Sequence, residues 1–507
     1  MKHLSELVRL LGKDAYLCFE NYRDEDSLRA LYHYLQQTDH PNDEEAATQL
    51  GLVPGGSNFR KLKHHLKLEL LNAASALAPV GKSSDRDQRT FGYVWKLIAI
   101  GKQLRTSLGS EVLLTYLEEA FRLAEQFGML DAAYQSAVML RRQYVNRRFD
   151  RTKYQLYAER ARWYKERLRS YEDAVADFNY VIFLRNSRQP AAKVQAAAYR
   201  AFEKHAHLIT RYDLPIITYI VFLTELNIYL AVNDYEGVIR VAEKAVEYLD
   251  AKTGTQPTMY QVFEVNLCLA YTQLNDYERG TAFARRLLNK TKPSEHNYIK
   301  VYELLLILSL RAGKFQGAYD SYLALKPKVV NAKMQPFFRD TFRIIEAYLY
   351  LLIRLGQVEP HADDMTFRRY RISRLINSFD QVPGEKSHRN IHLLIIEIVD
   401  NIISRKHGKV TYSIEAITKY ANRHLRGSEY RRVRYFLKAL AQLSTQQYHR
   451  EAVERHTRRY LNLMAEHPLN ESRLQYYMEL IPYDVLWGLI LQELGYKRVR
   501  LTKGKNP

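Results

Sequence analysis

The chain has 507 residues, 47% of them hydrophobic and 26% charged, with a formal net charge of +20. That length is too great for one compact core and implies roughly two to four domains or one extended array, and the composition excludes a disordered chain. Only 14 prolines and 21 glycines leave few chain breakers, which favours long helices over many short strands.

The first stretch, MKHLSELVRLLGKD, has no uninterrupted apolar core and no small-residue cleavage site, so it reads as an amphipathic helix and not a signal peptide. Residues 1–78 are expected to form a separate N-terminal helical unit, closed by the polar linker APVGKSSDRDQR. Within it, NDEEAATQLGLVPGGSNFRKLKHHLKLELL offers an acidic helix start, an Ala-Ala pair, Gly51 at a turn and a second helix from about Ser57. This resembles a helix-turn-helix, in which the second helix enters the major groove. The resemblance implies nucleic-acid contacts from Lys61, Lys63, His64 and Lys67, while Phe59, Leu62, Leu66 and Leu70 pack inward. The segment departs from that family in its longer turn, where VPGG adds residues. It also holds 9 Lys and Arg against 11 Asp and Glu, so it lacks the positive field of nonspecific DNA binding. A basic helix that caps the following array is the other expectation.

Residues 90–355 read as an array of helical hairpins. AEQFGMLDAAYQSAVML sets Leu130 and Ala133 at the head of a second helix, and RLRSYEDAVADFNYVI does the same with Tyr171 and Ala174. An extra helix, AAKVQAAAYRAFEKHAHLI, fills the long gap that follows. The apolar run LPIITYIVFLTELNIYLAV contains Pro215, Glu225 and Asn227 and is expected to be a buried helix, with no membrane insertion. Asn-Asp-Tyr-Glu then occurs at 233–236 and again at 275–278, each copy followed by apolar residues at helical spacing. LRAGKFQGAYDSYLAL repeats the pattern with Phe315 and Ala318. One such hairpin cannot bury both of its stripes, so it must stack on neighbours.

A large residue heading the second helix, a small one three later and an aromatic near the end of the first resemble the tetratricopeptide (TPR) family over roughly residues 110–330. The period here, 38 to 42 residues between the later copies, is longer than that family's. The resulting fold class is all-α: stacked antiparallel hairpins in a TPR-like solenoid, with the small helix-turn-helix-like unit in front. The resemblance implies a concave groove, lined by the first helices, that takes a protein or peptide partner.

Residues 361–507 are expected to continue the helices without the repeated turn. They carry 26 Lys and Arg against 15 Asp and Glu. HLRGSEYRRVRYFLKAL nominates Arg431, Arg432 and Arg434 for contact with a nucleic acid or another acidic partner, since arginine beside tyrosine suits phosphate contact plus stacking.

No catalytic constellation stands out. There is no phosphate-cradling glycine loop, and Glu203 with His207 or His388 with His392 gives only two ligands, so no metal and no cofactor are expected. Arg60 with His65 and Arg200 with His205 have the Arg-x4-His spacing of HEPN-type ribonucleases, a minor alternative, but lack that family's usual residue after the arginine. Cys18 and Cys268 lie far apart in apolar helical patterns, which is neither a disulfide framework nor a zinc set, so a cytoplasmic location is expected. The expected function is a non-enzymatic scaffold or adaptor for a protein or peptide. The alternative is a DNA-binding regulator, since a helix-turn-helix before TPR-like repeats resembles bacterial peptide-sensing transcription regulators.

Overall fold

The structure, a computed structural model, describes residues 1–11, 25–77, 86–103, 110–146, 149–187, 189–252, 257–293, 296–329, 336–378, 388–425, 427, 430–467, 469 and 478–494. Cys18, most of the APVGKSSDRDQR linker, the side chain of His388 and the basic tail after residue 494 lie outside them. Every regular element among the described residues is a helix, and none is long and apolar enough to cross a membrane. The chain divides into two compact units, Met1–Arg169 and Ser170–Pro507.

The first unit begins with α1 (Lys2–Leu11), α2 (Glu25–Gln37), α3 (Asp43–Gln49) and α4 (Ser57–Leu77). Among the described residues they share one core: Leu4 and Val8 of α1, Leu28, Leu31, Tyr32, Tyr34 and Leu35 of α2, Ala46 and Ala47 of α3, and Phe59, Leu62, Leu66 and Leu70 of α4. Asn42 caps α3, its Oδ1 accepting the Glu45 N–H at 2.8 Å. Gly51 at φ 67° ends it, and the Leu52 N–H closes the turn on the Ala47 carbonyl. Next come α5 (Arg86–Gln103), α6 (Ser110–Gln126), α7 (Leu130–Asn146) and the first half of α8 (Arg151–Asn186). Tyr157 of α8 stacks on Tyr144, and both hydroxyls donate to Glu118 of α6.

α8 corrects one expectation. It runs unbroken from Arg151 to Asn186, so no hairpin turn precedes Tyr171. Arg169 and Ser170 supply no residue suited to a left-handed conformation, and the spacing of Tyr171 and Ala174 is equally that of an ordinary helix interior. The extra helix does form, as α9 (Ala191–His205) with the short α10 (His207–Tyr212).

The second unit continues with α11 (Pro215–Leu230), α12 (Tyr235–Asp250), α13 (Pro257–Gln273), α14 (Tyr277–Lys290), α15 (His296–Arg311), α16 (Phe315–Val329) and α17 (Pro336–Arg354). After the short α18 (Met365–Arg368) and α19 (Ile372–Ser378) come α20 (His388–Ile403), α21 (His407–His424), α22 (Arg431–Thr445), α23 (Arg450–Ala465) and α24 (Tyr483–Glu493). Neighbours in this order pack on one another as stacked hairpins.

One turn geometry recurs. Asn233 and Asn275 take the left-handed region, and the next residue, Asp234 or Asp276, donates its N–H to the carbonyl five back, Tyr229 or Tyr271. The same aspartates then cap the following helix, Oδ1 accepting from the N–H of Gly237 or Arg279. Asparagine thus ends one helix and aspartate starts the next, the reason the two letters travel together. Gly313 forms this turn too, as does Gly128 in the first unit. Unlike the expectation for residues 361–507, the turn also continues there: after Gly356 it recurs at Arg405 and Gln447, with closing bonds to Leu352, Asn401 and Leu443.

Tyr235 and Phe315, at the heads of α12 and α16, are buried, whereas Tyr277 of α14 is only half-buried. The small residue three later is explained by proximity. A Cβ on Gly280 would meet Leu308 Cδ2 at 2.5 Å and Tyr271 Cβ at 3.0 Å. The expected groove is not open along α15, where Val301 to Arg311 are all buried. Part of the cover comes from the chain's return, in which Arg311 Nε donates to the Glu479 carbonyl, 168 residues away.

Candidate functional site

On α4 the apolar side packs as expected, and Lys61, His64 and Lys67 are exposed on the other side. Lys63 is not available in the same way. Its Nζ lies 2.5 Å from Asp43 Oδ2, tying α4 to the start of α3, and this hydrogen bond holds the Asp43 carboxyl below its ordinary range. Exposed Glu44 and Glu45 follow in the first turn of α3. The exposed charges of α3 and α4 are therefore of both signs.

The arginines of α22 separate completely. Arg431 is exposed, Arg434 is half-buried and Arg432 is buried. Arg432 belongs to a polar centre and not to a surface: its Nε donates to both Glu479 oxygens at 3.0 and 2.8 Å, and its Nη2 donates to Asp484 Oδ1 at 3.0 Å. Its Nη1 donates to the carbonyls of Met464 and His467. Tyr483 completes the centre, its N–H donating to Glu479 Oε1 while its ring stacks on Phe436 at 4.2 Å. This committed guanidinium cannot meet a phosphate.

The histidines are likewise engaged in structure. His205 is buried with Nε2 2.8 Å from Asp177 Oδ2, an oxygen that also accepts from Lys204 Nζ, while Arg200 is exposed. His392 Nδ1 lies 2.9 Å from the hydroxyl of buried Tyr348. Among the described residues no group of three or more His, Cys, Asp or Glu is placed to hold a metal. Burial raises the pKa of two carboxyls on first helices, Glu225 of α11 and Glu264 of α13, and each leaves Oε2 without a hydrogen bond.

What the sequence reading missed is an aromatic face. Tyr180 and Phe183, in the second-unit part of α8, are 53% and 64% exposed. They lie three residues apart on the exposed side of the helix, while Val181 and Leu184 on the packed side meet Val194, Ala197 and Ala201 of α9. Within Asn179-Tyr180-Val181-Ile182-Phe183 the exposed and packed positions are told apart only once the buried side is known.

The fold and these surfaces define a class, an all-α protein of stacked helical hairpins joined by a repeated left-handed turn. No protein-family model matches the chain, and no curated protein or solved structure matches it.

Proposed function

We propose that this chain is a TPR-like scaffold that binds a protein or peptide partner, with Tyr180 and Phe183 as its apolar contact. The observation that carries the reading is that pair of outward aromatics on a helix whose other side is already packed. Aromatic residues dominate binding energy at protein interfaces, and large apolar side chains left in water mark such sites. Stacked hairpins supply a rigid frame for the contact. The partner is an apolar or amphipathic segment, and its engagement needs no chemistry from the chain.

The test is affinity capture from nuclease-treated lysate, comparing the parent with a Tyr180→Ser/Phe183→Ser variant of unchanged helicity. A protein retained by the parent and lost by the variant supports the reading. Identical captures by the two remove it.

One observation favours a second reading, a DNA-binding regulator: Lys61, His64 and Lys67 point outward from the second helix of a helix-turn-helix-like pair. Against it stand the exposed Glu44 and Glu45 in the first turn of α3 and the engagement of Lys63 with Asp43. A gel shift of duplex DNA by the full chain that Lys61→Ala/Lys67→Ala abolishes would select it over the scaffold.

A further inference from the structure

The second helices of the last two hairpins turn cations outward. On α21, Lys409, Lys419 and Arg423 are exposed, and on α23 so are Arg455, Arg458 and Arg459. At 100° per residue the α21 cations share one stripe about 21 Å long, facing away from buried Val410, Ile414 and Ile417. The α23 arginines likewise face away from buried Val453, Thr457 and Met464. Among the described residues these six cations have no acidic partner, in contrast to Arg450, which pairs with Glu454 at 3.0 Å. Glu415 borders the first stripe, Glu451 lies on the second one turn before Arg455, and Glu466 follows α23, so each face keeps a positive excess.

The α21 stripe also carries Tyr412, 76% exposed, one turn beyond Lys409. Burial cannot explain so exposed a ring, and its neighbours on the stripe are cationic. Spaced cations with an accessible aromatic among them match a polymer that alternates phosphates with flat, unstacked bases. A duplex hides its base faces, and an acidic protein has none to offer. Single strands are the form in which RNA ordinarily presents its bases.

We infer that α21 and α23 form a surface for single-stranded RNA, in which the six cations neutralise phosphates and Tyr412 stacks on a base. This surface is separate from the aromatic face of α8, and its residues are not those nominated from the RRVR run.

The experiment measures anisotropy of a labelled oligouridylate of about 20 nucleotides with the full chain across a salt series. Arg455→Glu/Arg458→Glu/Arg459→Glu should weaken binding at least about tenfold and flatten the slope of log K against log salt by about 2, at about 0.7 per lost phosphate contact. Tyr412→Ala should weaken it about tenfold with the slope unchanged. Lys193→Glu/Arg200→Glu/Arg285→Glu, which makes the same charge change at exposed positions elsewhere in the second unit, should leave affinity within about twofold. The milder Gln triple at 455, 458 and 459 repeats the test if circular dichroism shows that the Glu triple unfolds. Equal weakening by the control triple would reduce the surface to overall charge and overturn the inference. So would duplex DNA binding as tightly as the oligouridylate, or polyglutamate competing as well as RNA; the latter would assign the face to an acidic protein.

Discussion

At the scale of single residues, Arg432 and Glu264 show a buried charge whose polar atoms are all engaged and one that leaves an oxygen without a hydrogen bond. Arg432 has partners for every nitrogen, so its cost of desolvation is offset only while Glu479 is present. Arg432→Met alone should leave the Glu479 carboxylate buried without its guanidinium partner, lowering stability by about 3–5 kcal/mol in urea unfolding. Arg432→Met with Glu479→Gln should recover a large part of that loss, and a double variant no better than the single would mean that shape and not charge is at stake. Glu264 presents the opposite case. Burial raises its pKa, with Lys290 and Arg286 opposing. The folded state therefore holds this proton more tightly than the unfolded state does. Its contribution is present at low pH and is lost as pH rises from the ordinary carboxyl range through the raised folded value. Glu264→Gln should melt higher than the parent at pH 7 and, compared with it, lose less stability between acid and neutral pH. A variant that melts lower at pH 7 would show that the carboxylate has a partner in solution.

At the scale of elements, the left-handed turn has the same backbone at Arg405 and Gly313 but different side chains. Arg405, at φ 55°, carries the strain of a Cβ in that region, whereas glycine at 313, at φ 67°, does not, and no atom lies within 4 Å of a Cβ placed there. Arg405→Gly should stabilise by about 0.5–1 kcal/mol, and Gly313→Ala should destabilise by about 1 kcal/mol. Thermal unfolding checks both, and a reversed sign at either position would mean the turn differs from the one described. The same contrast explains what was legible. Asn233-Asp234 and Asn275-Asp276 announce a helix end and a helix start, and Gly313 announces an end. Arg405 and Gln447 carry no such signal, so the later turns stayed hidden although their geometry is the same. Tyr171 failed for the converse reason, since large-then-small spacing without a left-handed residue does not make a turn. Lys63 and Arg432 were misplaced because their counter-ions lie 20 and 47 residues away, beyond anything local charge reveals. Tyr180 and Phe183 were hidden because an aromatic on a helix reads as core until the packed side is identified.

At the scale of the molecule, two patterns of closure coexist. Among the described residues, the core of α1 to α4 draws on positions between Met1 and Ala73. Within the second unit, one large cluster instead gathers residues from Cys268 to Ile490, and its last members come from the returning segment Met478–Ile490. That segment supplies Glu479 to Arg432, a carbonyl to Arg311, and Tyr483 and Trp487 against Phe436. In a stack whose elements touch mainly their neighbours, stability is close to a sum of local terms, and losing one end removes only the end. A contact spanning 168 residues makes the stack cooperative over that span. A chain ending at His467 should therefore lose more than its last helix. With Arg311 and Arg432 stripped of Glu479, amide exchange should accelerate by orders of magnitude across α15, α20 and α22, while α1 to α4 retain the protection they have in the full chain. Exchange that rises only in α22 and α23 would show the returning segment to be a local cover, with each hairpin holding its own.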